Sequence, residues 1–149
     1  MAEPVDLGEA DARVLLEQSI GNAIAMYAAT RAFLEGKGID PAELDDFFGE
    51  THAPGWADAR GNLETIAHYV ALNMRTFGFD TEITNGVGTA TVTATWSPDH
   101  DDPDWPIPVR PALAKSPRTF EPIMEWLGVG FTWDATDEGI VMHLAEQPG

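Results

Sequence analysis

The sequence predicts an α+β fold: three N-terminal helices, a β-hairpin, a further helix and a second hairpin, giving a four-stranded, mainly antiparallel sheet packed on helices. Three observations support this. Residues 62–77 repeat apolar side chains at steps of three and four, the spacing of one buried helical face. Residues 89–96 alternate threonine with alanine, valine and tryptophan, as in a strand with one buried face. Helices followed by strands favour helices segregated against an antiparallel sheet.

A long first helix is predicted from Glu9 to Glu35, after residues 1–8, which carry no periodic pattern and should fray. Small residues fill its middle and allow another helix to approach closely, so we expect a central position for it. Arg13, Glu17 and Arg31 lie largely off the predicted apolar face. That face comprises Leu16, Ile20, Ala23, Ile24, Tyr27, Ala28 and Leu34.

Two shorter helices follow. Asp40 is the predicted N-cap of the second, with Pro41 at its first position and Glu43 completing a capping box. Its predicted apolar side consists of Leu44, Phe47 and Phe48. The third helix occupies the periodic stretch after Asn62 and ends at Gly78, because glycine is typical just beyond a helix C-terminus.

The first hairpin joins strands Phe79–Thr84 and Val87–Trp96 through a predicted turn at Asn85-Gly86, the strongest short hairpin signal. A fourth helix, Phe120–Leu127, should end at Gly128. The last two strands are then Val129–Trp133 and Gly139–Ala145, linked by a polar turn.

Residues 97–118 interrupt the pattern. Six of the 11 prolines lie here, together with four aspartates, so we expect no helix and no central strand. A loop this long is generally functional or mobile. Trp105 and Ile107 suggest that it folds over apolar surface as a lid. The chain after it is too short to fold alone, so residues 1–149 are predicted to form a single domain.

Composition excludes several classes of function. The net charge is −17, with 25 acidic against 8 basic residues, and such a field repels nucleic acid and anionic membranes. No apolar run is long enough to cross a bilayer, and no signal peptide is recognisable, so the predicted location is the cytoplasm. The absence of cysteine removes disulfides and thiolate chemistry.

We predict neither a cofactor nor a metal. The segment Asp99-His100-Asp101-Asp102 has metal-ligand residue types, but it departs from the calcium-loop pattern at Pro103 and Asp104. Zinc would need a further ligand from elsewhere, such as His52. A mobile acidic loop is therefore the preferred interpretation.

The candidate catalytic pair is Glu64 and His68, which share one helix face at i, i+4, where a carboxylate can orient an imidazole as a general base. A solvated helix face is the alternative. The predicted substrate-binding residues are Tyr27, Thr91, Thr93, Trp105 and His143. His143 should share the threonine face of the sheet if the two hairpins join. A plain solvated sheet face is again the alternative.

Two functions are consistent with these residues. One is a small enzyme or ligand-binding protein for a small organic metabolite, hydrolase-like or a biosynthetic tailoring enzyme, with its pocket between helix 62–77, the threonine strand and the proline-rich loop. The other is a non-catalytic interaction or sensor module, acting as a homodimer or accessory subunit through the small-residue helix or the threonine face.

The stretches Leu63–Gly78, Thr89–Pro98 and Phe120–Leu144 resemble, in their order and pattern, the family of L-2-amino-thiazoline-4-carboxylic acid hydrolase-like proteins and the vinyl-reductase-type ligand-binding domains. The resemblance extends from about residue 10 to residue 145. It implies a small-molecule pocket between sheet and helices, in a dimer. Such proteins tend to carry a Cys-Pro pair where this chain has Ser97-Pro98, so any cysteine chemistry is not shared.

Overall fold

The protein is described by a computed structural model covering residues 11–148, so the predicted fraying of residues 1–8 lies outside the described range. The predicted α+β class and the four-stranded antiparallel sheet are confirmed. The helices are α1 (Ala12–Gly36), α2 (Ala42–His52), α3 (Leu63–Thr76), α4 (Val109–Leu113) and α5 (Phe120–Leu127). The strands are β1 (Asp80–Gly86), β2 (Thr89–Thr95), β3 (Val129–Ala135) and β4 (Gly139–Glu146).

The sheet has the order β1-β2-β4-β3, and each neighbouring pair is antiparallel. Each hairpin supplies one edge strand and one central strand, and the two hairpins join through β2 and β4. In the centre, Thr91 pairs with His143, which in turn pairs with Thr132 on β3. One face of the sheet is therefore continuous across both hairpins.

The helices cover only one face of this sheet. α3 lies against β1, β2 and β4, and α5 lies against β3. The inward side chains of the two central strands are fully buried: Ala90, Val92, Ala94, Ile140, Met142 and Leu144. This is the alternation expected of a sheet with one covered face.

The predicted core helix is confirmed as α3. Its buried residues are Ile66, Ala67, Val70, Ala71 and Met74. The Asn62 side chain accepts a hydrogen bond from the Thr65 amide at 3.1 Å and caps the first turn. Gly78 follows with φ 82°, a conformation that glycine adopts without strain.

The first hairpin turns two residues later than predicted. Asn85 and Gly86 belong to β1, and the turn is Val87-Gly88, because Gly88 supplies the positive φ of 67°. A shift of two residues leaves each side chain on its predicted face, since strand side chains alternate with a period of two.

The first half of α1 is exposed, contrary to the predicted central position. All side chains from Ala12 to Ser19 face solvent, and Leu16 is 59% exposed. The second half buries Ile24, Tyr27 and Ala28 against the body. Arg31, predicted to lie off the apolar face, is buried here, because α2 brings an aspartate to meet it.

The buried side of α2 also differs from the prediction. Phe47 and Phe48 are exposed, whereas Asp45 and Gly49 face the interior. A methyl group on Gly49 would lie 2.4 Å from the Thr119 carbonyl oxygen, so this close helix contact requires glycine. The Asp40 side chain accepts a hydrogen bond from the Ala42 amide at 3.0 Å, but Pro41 is the N-cap residue and the predicted capping box with Glu43 is not formed.

The proline-rich segment contains a short helix, α4, where none was expected. Pro108 precedes it and Pro111 falls in its first turn, where backbone amides lack intrahelical partners and proline removes nothing. α4 packs against α1. Arg110 forms an ion pair with Asp101 at 2.6 Å and lies over the Trp96 ring, so it links the segment to the sheet.

Candidate functional site

A cavity of about 310 Å³ lies between α1, α2, α3 and the start of α5. This volume falls within the range of small-molecule sites. Most of the wall is apolar, with Ala23, Met26, Leu44, Phe48, Met74 and Phe120 among the lining residues. Among residues 11–148, no Asp, Glu, Lys or Arg lines the cavity. It therefore suits an uncharged molecule with a large apolar part.

A few polar groups interrupt this wall, and most already have partners. The Thr30 hydroxyl donates to the Met26 carbonyl at 2.6 Å, and the Thr76 hydroxyl donates to the Asn73 carbonyl at 2.6 Å. Ser116 differs. Its Oγ is buried and has no hydrogen-bond partner among residues 11–148, although the residue lines the cavity.

An unpaired buried hydroxyl is costly, at about 1–3 kcal/mol, because it has lost water without gaining a partner. Such groups in native structures call for a physical reason. A ligand atom in the cavity would supply the missing partner after rotation of the serine side chain, because the Oγ atom itself has almost no solvent-accessible surface. Ser116 is thus the position where a polar group of a bound molecule gains most.

Behind the wall lies a buried network that fixes Tyr27, another lining residue. Its hydroxyl donates to Asp45 Oδ1 at 2.7 Å, and Arg31 Nη1 donates to Asp45 Oδ2 at 2.6 Å and to the Tyr27 oxygen at 3.0 Å. The Asp45 residue is fully buried and Arg31 is 5% exposed. Two positions on α1, one helical turn apart, and one position on α2 are thereby held together.

Burial raises the pKa of Tyr27 well above its ordinary value, and the neighbouring Asp45 carboxylate adds to the rise. Burial also raises the pKa of Asp45, while the hydrogen bonds from Tyr27 and Arg31 oppose that change. The phenol therefore stays neutral at physiological pH. Tyr27 serves as a rigid wall rather than as an acid or base.

The predicted catalytic pair does not reach the cavity. Glu64 and His68 lie on the exposed face of α3, whereas Met74, on the buried face, lines the cavity. Neither Glu64 nor His68 is among the residues that line the cavity, and both side chains are exposed to solvent.

Thr91, Thr93 and His143 lie on the open face of the sheet, opposite the helices. As expected, His143 shares the threonine face, and its Nδ1 lies 3.2 Å from Thr91 Oγ1. The whole sheet separates these side chains from α3. The expected pocket between α3 and the threonine strand is therefore not formed, and Tyr27 is the one predicted binding residue that lines the cavity.

Trp105 is half-buried at the other end of the proline-rich segment. Its Nε1 donates to the Asp99 carbonyl at 2.9 Å, and its ring packs against the core. It does not line the cavity, so it does not close the site as expected.

The Asp99–Asp102 segment is held by its histidine. The His100 imidazole is buried; its Nδ1 accepts from the Ser97 amide at 2.9 Å, and its Nε2 lies 2.7 Å from the Phe77 carbonyl. Both nitrogens are thus occupied by backbone groups, which requires the neutral ring protonated at Nε2. Within residues 11–148 no cluster of three or more His, Cys, Asp or Glu side chains suited to a metal occurs.

Sequence reasoning missed Ser116, Asp45 and Arg31. Arg31 had a usable signal, because it continues the buried series of Ile24, Tyr27 and Ala28 at helical spacing. Asp45 and Ser116 had none, since their burial depends on the packing of distant elements.

Comparison with protein-family models, with curated proteins and with solved structures finds no match to this chain. The predicted family resemblance therefore remains a prediction. Across residues 11–148, no helix combines the length and apolar character needed to span a membrane.

Proposed function

We propose that this protein binds a small, uncharged organic molecule in the cavity between α1, α2, α3 and α5. The observation that carries the proposal is the Ser116 hydroxyl, buried without a partner in a mainly apolar wall. The ligand would place its apolar part against Met26, Phe48 and Met74 and one polar atom near Ser116. Neutral aromatic or alicyclic molecules with a single hydroxyl or carbonyl group fit this description.

Binding rather than hydrolysis is proposed because the cavity lining offers no carboxylate and no cationic group beside a nucleophile. His52 lies at the rim, exposed and stacked on Phe48 with ring centroids 6.0 Å apart. The hydrolase-like or tailoring activity suggested by the sequence has no support from these side chains and is not part of the proposal.

The test is a titration with 2-naphthol, a neutral bicyclic probe with one hydroxyl, followed through the methyl signals of ¹³C-methyl-methionine. Met26 and Met74 line the cavity, while Met142 is buried in the sheet core away from it. We expect saturable shifts at the first two methyl groups and none at Met142. Equal shifts at all three, or none, would overturn the proposal.

Two cavity variants and one control sharpen the test. Ser116→Ala removes one hydrogen bond and should weaken binding about 2- to 10-fold. Thr84→Val removes an exposed hydroxyl on β1, outside the cavity, and should leave binding unchanged. Ala23→Phe fills the cavity with a ring and should abolish binding while the fold is retained. Undiminished binding by Ala23→Phe would place the probe elsewhere.

A further inference from the structure

The outward face of α1 carries an exposed apolar line. Leu15 is 54% exposed, Met26 72% and Phe33 63%. We call six positions on this face the α1 stripe: Leu15, Ser19, Asn22, Met26, Ala29 and Phe33. Successive positions in the stripe are spaced four, three, four, three and four residues apart. All six side chains are exposed across the described chain.

This spacing is that of a helix face which packs along another helix. The helix is 25 residues long, or about 37 Å, which is ample for a continuous contact. Large residues lie towards the ends of the stripe, and Ser19 and Ala29 are small. Small side chains between large ones allow two helix backbones to approach closely.

Charge identifies the partner. The chain carries −17, so two copies repel each other wherever acidic surfaces face. From Gln18 to Thr30 the helix contains no charged residue at all. The stripe is thus a surface on which a second copy meets no like charge, whereas a cationic partner would be attracted to the acidic surfaces instead.

The stripe is also complementary to itself. When two copies of α1 run antiparallel about a two-fold axis near Ile24, Leu15 of each copy lies opposite Phe33 of the other. Ser19 then lies opposite Ala29, and Asn22 opposite Met26. The pair Leu15–Phe33 thus lies at both ends, Ser19 and Ala29 lie further in, and the pair Asn22–Met26 lies nearest the axis. A two-fold contact requires this self-complementarity of one surface.

We propose that a second copy of this chain packs antiparallel on the α1 stripe to form a symmetric homodimer. Met26 belongs both to the stripe and to the cavity wall, so the partner helix would lie over the cavity mouth. The dimer rests on the stripe alone and stands independently of the proposed ligand. Because the partner helix would lie over the cavity mouth, dimer formation would slow the exchange of a bound molecule.

Sedimentation velocity over a range of protein concentrations tests the dimer. The full chain should form a dimer, and the Leu15→Glu/Phe33→Glu double variant should raise the dissociation constant at least about tenfold. Both positions are exposed, so the monomer fold, checked by circular dichroism, should persist. Val87→Glu, at an exposed turn position of the first hairpin, is the matched control and should stay dimeric. A monomeric wild-type chain at all concentrations would overturn the proposal.

Disulfide trapping tests the orientation, and the absence of native cysteine makes the result unambiguous. The Leu15→Cys/Phe33→Cys variant should cross-link between copies on mild oxidation. Leu15→Cys alone should not, because the two copies of residue 15 would lie about 27 Å apart along the helix axis. Cross-linking of the single variant would overturn the antiparallel arrangement. Naphthol binding by the monomeric double-glutamate variant distinguishes failure of the dimer from failure of the cavity.

Discussion

Polar side chains are exposed to solvent on one side of the sheet and buried on the other. On the open face, Thr91, Thr93 and His143 lie side by side and contact each other or solvent. On the helical side, Asp45 and Ser116 are both buried, Asp45 in a network with Tyr27 and Arg31 and Ser116 without a partner. The open face has many polar groups, none of them deprived of water. The helical side has few polar groups, and each needs a hydrogen-bond or ion-pair partner. A ligand or a buried ion pair therefore changes the free energy of unfolding most on this side.

The largest expected effect is a difference in the free energy of unfolding between variants of two consecutive aspartates, each of which is paired with an arginine. The Arg31–Asp45 contact is 2.6 Å with side chains 6% and 0% exposed, and the Arg118–Asp46 contact is 3.0 Å with side chains 43% and 41% exposed. Asp45→Ala leaves a buried guanidinium without its partner and should lower the free energy of unfolding by about 3–5 kcal/mol. Asp46→Ala should cost at most about 1 kcal/mol. Urea unfolding of the two variants checks this, and equal losses would contradict the contrast.

The second effect depends on pH and concerns His100. Burial lowers the pKa of this imidazole, and the charge of Arg110 acts in the same direction, against Asp99 and Asp101. Below its ordinary value of 6.5, the unfolded chain therefore binds a proton that the folded chain does not bind. Stability should fall as the pH decreases through that region, with a slope of at most about 1.4 kcal/mol per pH unit.

Unfolding free energies measured between about pH 7.5 and 5.5 test this expectation. His100→Gln should be less stable at the upper end and lose the slope. His143→Gln, on the open sheet face, should keep it. A wild-type stability independent of pH in this window would show that His100 accepts a proton without unfolding.

The third effect is a gain in stability. Ser116→Ala removes a buried hydroxyl without a partner, so the variant should be more stable by about 1 kcal/mol, even though it binds naphthol less tightly. Thr84→Val, at an exposed position of β1, should change stability by less than about 0.5 kcal/mol. Melting curves without ligand decide this, and destabilisation by Ser116→Ala would mean that the hydroxyl already has a partner.

The smallest effects are expected on the open face and the outer side of α3. Thr93→Ala and His68→Ala should each change stability by about 0.5 kcal/mol or less, and neither should alter naphthol binding. A marked loss of binding in either variant would transfer the site to the surface that the sequence favoured.

Local patterns were sufficient for most of the elements. The periodicity of residues 62–77, the alternation in β2 and the glycine after α5 each act within a few residues, and each prediction is confirmed. The buried side of α2 was not predictable in this way. Asp45 is stable inside only because Arg31, from another helix, faces it. Phe47 was predicted to lie in the core because it is apolar. Apolar character alone, however, does not show which helix surfaces pack together.

The site was less predictable than the fold, for a topological reason. Whether His68 and Thr93 can share a pocket depends on which face of the sheet receives the helices, and neither local sequence contains that information. Ser116 lies among prolines and has no neighbouring acid or base to mark it. The role proposed for Ser116 depends on its unpaired hydroxyl, and the burial of that hydroxyl arises only when the surrounding helices pack together.

The central pairing of β2 with β4 sets the order in which this chain can fold. Thr91 and His143 are 52 residues apart, whereas each hairpin closes within a few residues. Two hairpins can form early, but the shared core appears only after the long loop between them has been closed, at an entropic cost. If the docking of preformed hairpins is rate-limiting, we expect changes in the Val87-Gly88 turn to slow refolding in stopped-flow experiments and to leave the unfolding rate nearly unchanged.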